Sequence, residues 1–209
     1  MSAPSKRQEN IPGEADGFVP IATHGRYRLM AAKDQAAHDE LRRFVQTQFR
    51  EHFRAEVPDD TPRLQGIFHP IRGLTAAFGI RTAADGFFSE HYLGKPLADA
   101  LPAASHGGVD MSRVVEIAHF SVATPRVFGA VVPLIAQGLS NLGFEHVVCT
   151  ATRCLVRYFA RRYLTPVILS DARASALPED FRSCWGSYYL ADPAVAFGAL
   201  SGVLGKRAC

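Results

Sequence analysis

The stretch Val114–Gly129, VVEIAHFSVATPRVFG, decides the fold. Val114–Val122 is a mostly apolar run of the kind that makes a buried strand. A tight turn follows, and Pro125 fits the first turn of a helix that runs to about Leu142 and stops at Gly143. Pro133 inside that span predicts a kink or a later helix start. Glu116 and His119 interrupt the apolar strand. Arg126 and Gly129 stand where the helix begins, and a helix N-terminus offers unpaired N–H groups and a positive dipole end to an anion.

The flanking segments extend this unit. Tyr27–Ala32 reads as a strand, Asp34 as an N-cap, and Gln35–Glu56 as a helix whose inward positions include Leu41, Val45, Gln48 and Phe49. Leu64–Ile71 and Leu74–Thr82 read as strands joined at Arg72 and Gly73. Phe87–Leu101 holds one or two short helices broken near Gly94, Lys95 and Pro96. Ala103–Asp110 reads as loop. Phe144–Thr150 and Pro166–Leu169 are further strands, Arg153–Tyr163 a helix, and Asp171–Asp180 a loop. Trp185, Tyr188 and Tyr189 form an aromatic group, and Ala194–Leu204 is a last apolar segment. Strands cluster and then alternate with helices, which predicts a mixed α/β sheet. A right-handed crossover places Val114–Val122 parallel to Phe144–Thr150 at its centre. Residues 1–24 are polar and read as a flexible arm, and residues 25–209 as one domain.

Bulk properties narrow the classes. An apolar fraction of 47% in 209 residues fills a sizeable core. The net charge of +3, with no basic block, argues against nucleic acid. Arg153, Arg157 and Arg161 follow a spacing of four and share a helix face, either a solvated surface or a docking site for an acidic carrier protein or anionic membrane. There is no secretory signal pattern and no long apolar span, so a cytoplasmic location is expected. Cys149, Cys154, Cys184 and Cys209 have no metal-ligand spacing and are expected as free thiols, with no metal site.

Several blocks together resemble one family: AFGIRTA at Ala77–Ala83, FFSEHYLGKPL at Phe87–Leu97, RVVEIAHFSVA at Arg113–Ala123, LSNLGFEHVVCTATRCL at Leu139–Leu155 and WGSYYLADPAVAFGAL at Trp185–Leu200. In this order they are similar to the thermostable hemolysin family, a relative of GNAT-like acyltransferases. The resemblance implies an α/β GNAT-like N-acyltransferase fold, a mixed central sheet flanked by helices. It also implies an acyl-donor site made by the central strand, the turn after it and the next parallel strand. More distantly, Glu116–Phe120 resembles the E-x-S-R-F strand of acyl-homoserine-lactone synthases. His119 replaces the arginine of that pattern, and hemolysin-like sequences usually carry Asn there. The acetyltransferase turn signature is partly present: Arg126 and Gly129 are kept, but Phe128 occupies the turn and a second glycine is missing. This departure favours a carrier-protein donor, which has one phosphate at the root of its arm.

Candidate residues follow. Glu116 is either a general base raised in pKa by burial or a structural carboxylate paired with Arg81. His119 is either a base or a core histidine. Three residues apart on a strand they point to opposite faces, unless a β-bulge intervenes, as the fold resemblance implies. Backbone groups of Ala118, Phe120 and Val122, with Arg126, Gly129, Thr150 and Arg153, are candidates for the acyl donor. Arg81, Glu90, Tyr92, Trp185 and Tyr188 are candidates for the acceptor, Arg81 as a bidentate clamp on a carboxylate. Tyr189 is a candidate acid for the leaving thiolate. Cys149 sits among apolar neighbours that raise a thiol pKa, and reads as inert.

The expected activity is transfer of an acyl group to a small amine or amino acid. Acyl-CoA or acyl-phosphopantetheine on acyl carrier protein is the co-substrate, and no bound cofactor is expected. An enzyme using S-adenosylmethionine, and a lytic protein, are the alternatives. Ala194–Leu204, followed by Lys206 and Arg207, is either a docked terminal helix or a weak membrane-surface helix. A homodimer stays open.

Overall fold

The apolar runs pair in nearly their sequence order. The computed structural model describes residues 17–58, 63–102, 108–163 and 166–205. Along the chain come β1 (Phe18–His24), β2 (Tyr27–Ala32), α1 (Gln35–Phe53), β3 (Arg63–His69), β4 (Gly73–Thr82), α2 (Glu90–Leu93) and α3 (Leu97–Ala100). Then follow β5 (Val114–Val122), α4 (Phe128–Asn141), β6 (His146–Ala151), α5 (Arg153–Arg162), β7 (Val167–Asp171), α6 (Glu179–Arg182), β8 (Ala194–Ala199) and α7 (Ser201–Leu204). The eight strands form one sheet in the order β1-β2-β3-β4-β5-β6-β8-β7. β5 and β6 are parallel, as expected, and every other neighbouring pair is antiparallel.

Each face of the sheet has its own core. On one face Leu41, Val45 and Phe49 of α1 pack with Val114, Val148, Val195 and Trp185. On the other, Val131, Leu134 and Leu139 of α4 pack with Leu29, Ile67, Phe78 and Val115. Alternation along β5 sends Val114 to the first core and Val115 to the second, as period-two geometry demands.

Asp34 caps α1 by accepting from Ala37 N at 2.9 Å. The helix ends at Phe53 rather than Glu56. Arg54 turns into left-handed backbone at φ 53°, and the segment carrying Trp185 binds the freed end. Ser187 N donates to Phe53 O at 2.7 Å, and Glu56 N donates to Cys184 O at 2.7 Å. Gly186 lies between these contacts at φ 49° and ψ −123°. A Cβ there would strike the Phe53 and Arg54 carbonyls.

Three expectations are corrected. The arm assigned to residues 1–24 contains β1, which pairs with β2 from Phe18↔Ala32 to His24↔Tyr27. It is an edge strand, where Pro20 is tolerated, and Phe18 meets Phe68 edge-on at 5.0 Å. The rest of that arm, residues 1–16, lies outside the described residues. The loop expected over Asp171–Asp180 holds a short 3₁₀ turn, Ala174–Ala176, and the start of α6. Ala194–Leu204 is no membrane-surface helix: its first six residues are β8, inserted between β6 and β7, and only Ser201–Leu204 is helical. Ladder hydrogen bonds on both edges override the helix-compatible Ala-rich composition. Lys206 and Arg207 lie outside the described residues, as do Ala103–Gly107 of the expected loop. Among the described residues no helix is long and apolar enough to cross a membrane.

Candidate functional site

The site begins with a fault in β5. Ala77 pairs with Ser121 and Gly79 with Ala118, so one residue on β4 faces two on β5, His119 and Phe120. This is a β-bulge. His119 occupies it at φ 53°, a left-handed conformation that histidine adopts more readily than bulky residues do. Ser121 Oγ donates to the His119 carbonyl at 3.0 Å and braces the turn. The extra residue resets the alternation. His119 packs against Phe49 at 6.0 Å and Trp185 at 5.7 Å, on the α1 face that also holds Glu116. Past the bulge, Phe120 and Val122 pack with the α4 core.

Beside the bulge the sheet opens. β5 pairs with β6 only from Val114↔His146 to Ile117↔Cys149. Beyond that point a cavity of about 780 Å³ lies between them, lined by Ala118–Val122 on one side and Thr150–Ala151 on the other. That volume is typical of small-molecule sites. Arg81, Tyr92, Glu116, His119, Trp185 and Tyr188 all line it, and so do Gln48, Phe49 and His52 of α1.

Glu116 is buried, with 2% of its surface exposed. Its carboxylate accepts from Ser89 N at 2.8 Å and Phe88 N at 2.5 Å, which fixes the turn carrying Phe88 into the cavity wall. Burial pushes its pKa from 4.5 up to about 7, against the two backbone N–H groups and the Arg81 guanidinium, which lower it. Arg81 stands directly opposite Glu116 in the β4–β5 register. Both sequence alternatives for Glu116 therefore meet in one place: it is beside Arg81 and it faces the cavity.

The aromatic wall is ordered by its hydroxyls. Tyr188 donates to the Thr150 carbonyl at 2.9 Å and ties this wall to the open end of β6. The Tyr92 and Tyr189 hydroxyls meet at 2.7 Å. Burial raises all three phenols above their ordinary value, so they stay protonated. The Trp185 ring N–H and the Thr150 hydroxyl are buried with no hydrogen-bond partner among the described residues, as is the side-chain carbonyl of Gln48. Buried polar atoms of this kind call for a ligand or water. The Cys149 thiol is pushed up to about 12 by burial and does not ionise at neutral pH.

Several candidates lie off the cavity wall. Glu90 accepts from Leu97 N at 2.8 Å and caps α3. Tyr189 stands behind Tyr92. Arg153 is exposed and paired with Asp192 at 2.5 Å. Arg126 and Gly129 are exposed at the start of α4, flanking Pro125 and Phe128, which do line the cavity. Thr124 accepts from Arg126 N at 3.5 Å, and a Cβ on Gly129 would meet open space. The α1 contribution was not read as part of a site. The available signal was Gln48, a polar residue on an otherwise apolar stripe.

The chain resembles several solved structures. FeeM, an N-acyl amino acid synthase from uncultured soil microbes, superposes with a TM-score of 0.60 at 12% identity, covering 90% of this chain and 94% of its own. An uncharacterized protein from Bacillus halodurans gives 0.51 at 8% identity, covering 91% and 95%. BjaI, a CoA-dependent acyl-homoserine lactone synthase solved with SAM and isopentyl-CoA, gives 0.48 at 13% identity, covering 91% and 89%. No curated protein matches the sequence. The architecture is the GNAT-like fold, which FeeM shares. A model of the family described as thermostable hemolysin matches residues 31–204, and the chain belongs to that family.

Proposed function

We propose that the protein is an N-acyltransferase that moves an acyl group from a pantetheine thioester to a small amine or amino acid. The observation that carries this reading is the bulge at His119, which turns Glu116 and His119 toward one cavity where β5 parts from β6. The likeness to FeeM, described as an N-acyl amino acid synthase, supports it.

The edge of Ala118–Val122 that has left β6 offers backbone groups to the amides of a pantetheine arm. The acceptor nitrogen attacks the thioester carbonyl carbon. A C–N bond forms, the C–S bond breaks, and the thiolate leaves, to take up in the end the proton that the nitrogen loses. The proton lost by the nitrogen passes to Glu116, whose pKa of about 7 suits a base near neutral pH. His119 flanks the reacting carbon and positions the amine. Arg81 holds the carboxylate of an amino-acid acceptor, and the Trp185 N–H gives a further donor. Tyr189 acts through Tyr92, whose hydroxyl it contacts. The phosphate of the arm lies at the start of α4, by Arg126 and Gly129. With Arg153 paired to Asp192, exposed Arg157 and Arg161 are the docking cations for an acidic carrier protein.

The test is thiol release from acyl-CoA and acyl carrier protein with a panel of amines and amino acids, the product identified by mass spectrometry. Amine-dependent release with an N-acyl product is expected. Absence of release with every donor, together with dye escape from liposomes, would overturn the reading in favour of a lytic protein.

A further inference from the structure

The cavity continues through the gap between β5 and β6 to the opposite face of the sheet. There its walls are Val132 and Ile135 of α4, Leu155 and Phe159 of α5, and Val203 at α7. α5 is amphipathic yet contributes no buried residue, because its apolar side faces this void instead of a packed sheet. The floor comes from β6 and β8. Their register sets Cys149 beside Ala196 and Val147 beside Gly198, and cross-strand neighbours share a face. Val147 packs with the α4 core, so Gly198 and Ala196 lie on the α5 side. A Cβ added at Gly198 would meet nothing within 4 Å. On the α1 face the same strands place Val148, Val195 and Phe197 in the core. The lobe on the α5 side therefore lies where β8 presents its smallest side chains.

An apolar lobe opening from the gap has no use for a polar acceptor. Its walls Val132, Ile135, Leu155, Phe159 and Val203 are all apolar, which suits hydrocarbon. We infer that this lobe holds the hydrocarbon tail of a fatty-acyl donor, and that Gly198, with Ala196, sets the chain length accepted. The inference rests on the acyl-transfer reading and adds to it the donor class and the residue that selects it.

The experiment uses acyl-pantetheine thioesters from acetyl to hexadecanoyl, titrated calorimetrically into the full chain without acceptor. Affinity is expected to rise about fourfold per added methylene until the lobe is full. In Gly198→Phe that rise stops several carbons earlier. Leu155→Trp narrows the lobe from the opposite wall without touching the sheet, and shortens the series in the same sense should Gly198→Phe fail to fold. Thioester binding that is flat with chain length in the wild type overturns the inference and leaves acyl transfer standing. An unchanged series in the folded variants overturns the role of Gly198. Failure of every thioester to bind removes the acyl-transfer reading, and the inference with it.

Discussion

Glu116 and His119, three positions apart on one strand, face the same cavity because a single extra residue separates their registers. Regular alternation would have sent them to opposite cores. The pairing is therefore a property of the bulge rather than of the spacing. A substitution that removes the bulge should separate the two side chains even if both residues are kept.

Glu116 ties catalysis and stability to one proton. Its folded pKa of about 7 exceeds the ordinary 4.5, so between these values the folded state holds the proton more tightly than the unfolded chain. Stability is then fullest below about pH 4.5, falls as pH rises to about 7, and is flat above. The wild type should lose about 3 kcal/mol from this group across the window. Urea melts of wild type and Glu116→Gln at several pH values check this, because the difference between the two should carry that slope. In acyl transfer, Glu116→Gln should lower kcat by about 10²- to 10⁴-fold and abolish the acidic limb near pH 7, where the wild type loses activity as the base takes up its proton.

His119→Gly separates side chain from backbone. Left-handed φ costs a non-glycine residue about 1–2 kcal/mol, which glycine avoids. The variant should melt at or above the wild-type temperature while kcat/KM falls at least about tenfold, or about 1.4 kcal/mol of barrier. A parallel loss of stability would instead assign His119 to packing against Phe49 and Trp185. Asn also tolerates the left-handed region, so His119→Asn should keep the bulge.

Much of the scaffold was legible because single residues carried it. Asp34 marked the start of α1, Gly143 the stop after α4, and the apolar runs at Val114 and Phe144 the parallel pair at the centre of the sheet. β1 was missed because Pro20 and polar neighbours disguise an edge strand, and β8 because Ala and Gly have little strand preference until both edges are paired. In the site, Glu116, His119 and the aromatic group were visible as polar or large side chains in apolar surroundings. The walls from α1 and the small-residue floor at Ala196 and Gly198 were not, because a cavity is made by side chains that are absent or turned aside.

Gly186→Ala should damage stability and site together. The backbone at φ 49° and ψ −123° is one that L residues rarely adopt, and the added carbon strikes two carbonyls at the end of α1. A loss of about 1–3 kcal/mol from strain alone is expected. Trp185 fluorescence should shift under native conditions as the segment lifts from Phe53. An unchanged spectrum and melting point would show that the clamp is not needed.

The Tyr92–Tyr189 contact can be weighed by a double-mutant cycle. Each Tyr→Phe change removes one hydroxyl of the 2.7 Å pair. A coupling energy of about 0.5–1.5 kcal/mol in urea melts is expected if the hydroxyls support each other. Additive effects would place the two rings in the core by packing alone.

The insertion of β8 between β6 and β7 governs how this protein can come into being. β7 leaves the ribosome before the strand that joins it to the sheet. Until β8 arrives, β6 keeps one unpaired edge and β7 has no strand partner among the described residues, and such edges recruit other chains. The same late strand supplies Ala196 and Gly198, so the binding chamber is incomplete until β8 has been made. Nascent or truncated chains ending before Ala194 should thus be both inactive and the most aggregation-prone species in the life of the molecule.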